Sequence, residues 1–375
     1  MIPATMIKKA GYYIFAVFFT IFRLFPLKRD KVFFVATHDD SEEGNVGIVA
    51  EALKRTKPEV KQVFLTKRDG IRRPFSFFVG KAYHLATAGT IFMDNEFMPM
   101  AYITFSKQAK VVQLWHGTGS IKKFGLDVET GEVARLARKA NRRITHLIVN
   151  SELTKKQYEG AFQVPERNIY ILGLPRTDLI LDTKKMKEKQ EHFYVEYPEL
   201  KGKRCVLYAP TFRDNETQHP RINLGFSQLL KAMDENDVLL LRLHPHVAAN
   251  YSDVKLGAYG GRIRNMSYYS GVSTLLSVAD CLITDYSSIV FEYCLLKKPM
   301  IFYAYDLEEF REKSRGFYPA DYESYVPGPI ARSQADLEKI WEEWRFDEKK
   351  LSDFNAQTFQ YLDQNAVGRL LELIF

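Results

Sequence analysis

The sequence predicts an α/β protein built as two successive units, each a parallel sheet covered by helices. Three observations carry this. Apolar runs of strand length alternate with stretches of helical periodicity. The alternation runs through twice, on either side of a charged stretch at Asp182–Glu196. The chain has 375 residues, 46% hydrophobic and 26% charged, which suffices for two domains with a core each.

The N-terminus stands apart. Ala10–Phe25 is apolar except for Thr20 and Arg23, and Phe15, Phe18, Phe19, Phe22 and Phe25 recur at helical spacing. Lys8, Lys9, Arg23, Lys28 and Arg29 flank the run. It is shorter than the ~20 residues a spanning helix needs. No small-residue cleavage pattern follows it. The expectation is an amphipathic membrane helix within residues 1–28, lying among lipid headgroups. A helix packed on the domain is the alternative.

In the first unit the expected strands are Val32–Ala36, Gln62–Thr66, Thr90–Met93, Val111–Trp115, His146–Val149 and Asn168–Leu172. Helical patterns cover Gly47–Lys54, Val79–Ala88 and Val133–Ala140. Asp182–Glu196 is the linker candidate. The second unit offers strands at Arg204–Tyr208, Val238–Leu243, Cys281–Thr284 and Met300–Tyr303. Its helices are expected at Phe226–Met233, Val272–Val278 and Ser288–Leu296. Leu337–Trp344 and Leu351–Leu373 read as helical throughout.

The net charge of +7 is unevenly spread. Residues 1–180 hold 28 Lys+Arg against 17 Asp+Glu, and the remainder 25 against 29. A basic first half suits a phosphate-rich substrate or an anionic lipid surface. No nucleic-acid module is present, so nucleic acid is not an expected partner. Three cysteines without a C-x-x-C pair fit a reduced, cytoplasmic compartment. No Cys/His cluster has zinc spacing, so no structural metal is expected.

Three strand ends could carry chemistry. Trp115-His116-Gly117-Thr118, followed by Lys122 and Lys123, puts a proton acceptor on a turn with cations nearby. Leu243-His244-Pro245 ends another strand, with Pro245 forcing the turn. Thr284-Asp285-Tyr286-Ser287-Ser288 joins a strand to a helix expected to begin near Ser287. Free N–H groups there suit a phosphate, and Glu292 lies one turn on. Simple N-capping by Asp285 or Ser287 is the alternative. Two further fragments, Thr211-Phe212-Arg213 and Gly173-Leu-Pro175-Arg176-Thr-Asp178, also follow strands.

Taken in order, WHGTG with KK (115–123), NSE (150–152), GLPRTD (173–178), YAPTFRD (208–214), RLHPH (242–246) and ADCLITDYSSIVFEY (279–293) resemble the CDP-glycerol glycerophosphotransferase family of teichoic acid synthesis in Gram-positive bacteria. The resemblance implies a GT-B-like fold, two Rossmann-type domains facing a central cleft. Residues 29–182 would be the acceptor domain and 197–355 the CDP-glycerol-binding domain. Residues 356–375 would form a C-terminal helix packing back on the first domain.

By motif position, His116 resembles the general base and His244 a histidine contacting the donor phosphate. Arg213, Ser287 and Ser288 would hold the diphosphate, while Asp285 and Glu292 would shape the donor site. Gly117, Thr118, Lys122, Arg176, Thr211 and Thr284 complete the implied substrate-binding set. The chain departs from the family at Gly119-Ser120, on the acceptor side.

The implied reaction is that of a primase. Glycerol phosphate passes from CDP-glycerol to a hydroxyl of the undecaprenyl-diphosphate-linked ManNAc-GlcNAc disaccharide, and CMP leaves. No cofactor is required, although Asp285 and Glu292 leave a divalent ion open. The expected location is peripheral, on the cytoplasmic face of the plasma membrane and against its anionic surface. Three alternatives remain: addition of a second or later unit, a GT-B glycosyltransferase using a nucleotide sugar, and a non-catalytic membrane-surface binder.

Overall fold

The computed structural model describes residues 4–69, 75–213, 222–343 and 345–375. Trp344 and the Asp214 of YAPTFRD lie outside these. The chain divides into two compact units. The first comprises Met1–Thr118, Phe124–Asp178 and Phe359–Phe375, and the second Gly119–Lys123 and Leu179–Thr358.

Each unit is built on a six-stranded sheet. The first contains β1 (Lys28–Ala36), β2 (Lys61–Thr66), β3 (Ala88–Met93), β4 (Lys110–Gln113), β5 (His146–Val149) and β6 (Ile169–Ile171), in the order β2-β1-β3-β4-β5-β6. The second contains β7 (Arg204–Tyr208), β8 (Asp237–Leu241), β9 (Ile263–Asn265), β10 (Cys281–Thr284), β11 (Met300–Tyr303) and β12 (Ile330–Ala331), in the order β12-β11-β10-β7-β8-β9. All the pairings are parallel. Helices cover both faces of such a sheet, so its strands are apolar on both sides. Every residue of β3, β8, β10 and β11 is buried.

The strand order reverses at one place in each sheet, between β1 and β3 in the first and between β7 and β10 in the second. Loops at the carboxyl ends of strands beside such a reversal are where α/β sheets bind ligands. The loops after β1, β3 and β4, and those after β7 and β10, therefore hold the residues of interest.

The N-terminal helix, Ala4–Phe22, does not present its phenylalanines as a single exposed face. Phe15 and Phe19 are fully buried in the first unit, with Phe33, Val35, Leu85 and Ile91 in the same core. Phe15 meets Phe97 edge-on at 5.6 Å, and Phe19 meets Phe105 at 5.3 Å. Among the described residues of this segment, the large apolar side chains of Tyr13, Ile14, Val17, Ile21, Leu24 and Phe25 are exposed. Among the described residues, no helix is long and apolar enough to cross a membrane.

Three further expectations need revision. Asp182–Glu196, the linker candidate, belongs to the second unit: Thr183–Glu196 is a helix capped by Asp182, whose side chain accepts from Lys185 N at 3.0 Å. Met186 and Phe193 bury it, and Phe193 meets Tyr269 at 5.6 Å. Leu351–Leu373 is two helices, Glu348–Thr358 and Ala366–Ile374. Between them Gln364 takes a positive φ of 58°, which breaks helical geometry. Val79–Ala88 is a π-helical turn, Ser76–Lys81, followed by α-helix Ala82–Ala86.

Candidate active site

In the first unit, the site is built from the turn after β4. Trp115 has a φ of 56°, a left-handed conformation that bulky residues rarely adopt. Its neighbours hold it there. Trp115 N donates to Gln113 Oε1 at 2.9 Å, and its carbonyl accepts from Asn45 Nδ2 at 2.9 Å. Its ring stacks on Phe124 at 5.3 Å and meets Phe162 edge-on at 5.1 Å. The reversal ends β4 at Gln113, two residues before the expected strand end, and presents His116.

His116 Nδ1 lies 3.0 Å from Asp94 O. A carbonyl only accepts, so Nδ1 carries the proton and Nε2 keeps its lone pair. The ring is half-buried. Burial, then the neighbouring imidazole of His38, brings its pKa down to about 3. His116 is therefore a neutral imidazole with an unprotonated Nε2 at physiological pH.

The rest of the turn faces inward. Gly117 O accepts from Tyr158 Oη at 2.8 Å, and the buried Thr118 offers its carbonyl to Asn150 Nδ2. Both residues shape the turn in this structure. Arg176 braces it: Nη1 donates to His116 O at 3.2 Å, and Nη2 pairs with Asp39 Oδ2 at 2.7 Å. Asp178, of the same GLPRTD motif, caps the C-terminal helix by accepting from Ala366 N and Val367 N, each at 2.9 Å. Lys122 belongs to the second unit. There its segment bridges antiparallel to Phe317, and Tyr318 N donates to Ile121 O at 2.8 Å. Gly119 packs so closely on Phe291 that a Cβ would sit 2.6 Å from its ring.

In the second unit, a small pocket open to solvent lies at the ends of β7 and β8. Its lining includes Thr211, Phe212, Arg213, Asn223, His244 and Tyr305. The His244 ring stacks on Phe212 at 4.3 Å, and its Nδ1 accepts from His246 N at 3.4 Å. Thr211 Oγ1 is buried without a hydrogen-bond partner among the described residues. A buried hydroxyl of this kind is costly unless something else bonds to it.

Arg213, which the resemblance assigns to the diphosphate, is engaged by two carboxylates in this structure. Nε and Nη2 form a fork with Asp306 at 2.7 and 2.9 Å, and Nη1 reaches Asp285 Oδ2 at 2.7 Å and also Thr211 O. Burial opposes its charge, but Asp285 and Asp306 outweigh that and raise its pKa. Asp285 is 1% exposed. It accepts from Thr211 N at 2.8 Å and Tyr286 N at 2.6 Å, so it ties the loops after β7 and β10 together. Thr284 Oγ1 adds a clip to Ala209 O at 2.7 Å.

The helix expected to begin near Ser287 begins at Val290 and lasts one turn, continuing as 3-10 Cys294–Leu296. Ser287 and Ser288 precede it, half-buried and exposed respectively. Glu292 is buried on it. Among the described residues, no cluster of three or more His, Cys, Asp or Glu is placed to hold a metal.

Sequence reasoning passed over His38, Asp94, Asn45 and Asp306. A signal existed for the first two. Thr37-His38-Asp39 and Asp94-Asn95 each follow an apolar run directly, as Trp115-His116 does.

Two six-stranded parallel sheets, each with polar residues gathered at its strand-order reversal, define an α/β transferase of the GT-B-like class. The fold is shared with the wall teichoic acid polymerase TagF at a TM-score of 0.83 and 22% identity, covering 98% of this chain and 94% of that one. The profile of CDP-glycerol:poly(glycerophosphate) glycerophosphotransferases matches residues 17–375. The chain belongs to that family of phosphotransferases.

Among its relatives, a teichoic acid poly(ribitol-phosphate) polymerase of Bacillus spizizenii is 35% identical over 98% of this chain. The chain spans 60% of that protein's length. A ribitol-phosphate primase of the same organism is 30% identical over 94% of this chain and 92% of its own length. A glycerol-phosphate primase of Bacillus subtilis is 31% identical over 87% of this chain and 82% of its own length.

Proposed function

We propose that this protein transfers glycerol phosphate from CDP-glycerol to a hydroxyl of a lipid-linked disaccharide, acting as a teichoic acid primase. The carrying observation is His116, with Nδ1 tied to Asp94 O, which leaves the lone pair on Nε2. The acceptor hydroxyl loses its proton to Nε2 as its oxygen attacks the glycerol-bearing phosphorus. The bond from that phosphorus to the CMP oxygen breaks, and CMP leaves. Such a transfer depends on positioning and on stabilising charge at the phosphoryl oxygens.

The second unit is assigned the donor. His244, the hydroxyl of Thr211 and the residues Ser287 and Ser288 would contact its phosphates. Arg213 and Asp285 act one step back, holding Thr211 and the loop after β10. Gly117, Thr118 and Arg176 would shape the turn that carries His116, and Thr284 the loop after β10, in the same indirect way. Incubation with labelled CDP-glycerol and with labelled UDP-sugars tests the reading. Label in the lipid fraction from CDP-glycerol, with CMP released, supports it, and label only from UDP-sugars rejects it.

Ribitol phosphate is a second reading, favoured by the relatives named for ribitol, and CDP-ribitol in the same assay decides between the polyols. The exposed apolar face of the N-terminal helix supports a peripheral location on an anionic, cytoplasmic membrane surface.

A further inference from the structure

The loop after β1 carries an imidazole that the reaction above leaves unused. His38 lies flat on His116, with ring centroids 3.6 Å apart and planes 9° from parallel. Asp94 fixes both partners. Its carboxylate accepts from the backbone N–H groups of Thr37, His38 and Asp39 at 3.0, 3.1 and 2.8 Å. Its carbonyl holds His116 Nδ1. Arg176 makes a second tie, to Asp39 Oδ2 and His116 O. Lys67 Nζ reaches His38 O at 3.0 Å.

We propose that His38 is the positioning residue of His116, covering one face of the ring, fixing its plane and keeping it unprotonated until the acceptor hydroxyl delivers its proton. This rests on the reading of His116 as the base. Two imidazolium ions in face-to-face contact repel strongly, so the pair holds one proton at most. Among the described residues, the charged groups around it are Lys67 and Arg176, which disfavour that proton, and Asp39 and Asp94, whose carboxylates are engaged with Arg176 and with the backbone. Burial, then Lys67 and Arg176, lowers the pKa of His38 as well, against the opposing effect of Asp39. The pair therefore rests neutral, with His116 Nε2 available and its ring unable to swing.

The test compares His38→Ala, which removes the stacked ring, with His38→Phe, which keeps a ring but no titrating group. kcat/KM is measured from pH 5.5 to 8, with CDP-glycerol dissociation constants alongside. The ratio of activity at pH 5.5 to that at pH 8 should fall about tenfold or more in His38→Ala, which corresponds to His116 titrating about one unit above pH 5.5. His38→Phe should stay within about twofold of the natural ratio, and donor binding should be unchanged in both.

Glu96, which burial raises to about 7, titrates in the same range. The imidazole 15N resonances of His116 are therefore followed too, and should show protonation above pH 5 only in His38→Ala. An unshifted His38→Ala profile, or an equal shift in both variants, overturns the inference. Near-normal turnover in His116→Ala would instead overturn the base assignment. An inactive His116→Ala beside an unshifted His38→Ala rejects the role of His38 alone.

Discussion

Arg213 and Asp306 form a bidentate pair, with Nε to Oδ2 at 2.7 Å and Nη2 to Oδ1 at 2.9 Å. The Tyr286 hydroxyl donates to the same Oδ1 at 3.0 Å. The pair makes Arg213 a scaffold for the loops after β7 and β10. Asp306→Ala leaves a buried cation with one carboxylate instead of two, and should cost about 3 kcal/mol of stability. Chemical denaturation measures that loss. Calorimetry with CDP-glycerol should show weaker donor binding in parallel, because Thr211 loses its support.

His116→Ala removes the proton acceptor and leaves the second unit untouched. Transfer should fall by about 10²–10⁴-fold, the usual contribution of a general base. The dissociation constant for CDP-glycerol should stay within about twofold, since the missing group belongs to the acceptor step. Radiolabel transfer and calorimetry on one preparation check both.

Asn45 joins two chain segments at the same turn, donating to Trp115 O and accepting from Arg176 N at 2.9 Å. Asn45→Ala strips both bonds from a buried position and should cost about 1–3 kcal/mol. It also releases the left-handed Trp115, so kcat should fall with donor affinity preserved. Steady-state kinetics beside thermal melts separate the two effects.

Acid stability should depend on His116 with a definite sign. Its folded pKa of about 3 lies below the ordinary 6.5, so in that window the unfolded chain binds the extra proton. Stability is therefore lost as pH falls from 6.5, and His116→Gln should flatten the slope by up to about 1.4 kcal/mol per pH unit. Glu96 works the other way. Its folded pKa of about 7 exceeds the ordinary 4.5, so the native state gains stability as pH falls from 7 towards 4.5. Glu96→Gln should make the acid loss steeper. Urea titrations from pH 5 to 7 read both slopes.

The exposed face of the N-terminal helix offers a test of membrane binding that leaves the core intact. Phe15 and Phe19 sit in the core, so deleting residues 1–28 would unfold the first unit as well as remove a membrane contact. Val17→Glu with Ile21→Glu changes only exposed positions. Co-sedimentation with anionic vesicles should fall at least about tenfold for the double variant, two charges replacing buried methylenes at ~0.8 kcal/mol each. Turnover of a soluble acceptor should be unchanged.

The strands that sequence placed best are those whose apolar runs stop at a polar turn: β5, β7, β10 and β11 match their expected ranges. β9 and β12 are only three and two residues long, and β9 carries Arg264, so neither forms a readable run. His116, His244 and Asp285 were legible because each follows such a run. His38 was hidden by the acidic stretch Asp39–Glu43, which reads as solvated surface. The engagement of Arg213 was hidden by distance, since Asp306 lies 93 residues away in sequence.

Intact mass of the lipid-linked disaccharide after reaction with CDP-glycerol tests the central claim most directly. The account predicts a gain of one glycerol phosphate per acceptor, lost in His116→Ala. An acceptor that stays unmodified with CDP-glycerol, but gains a sugar from a nucleotide sugar or ribitol phosphate from CDP-ribitol, would contradict it.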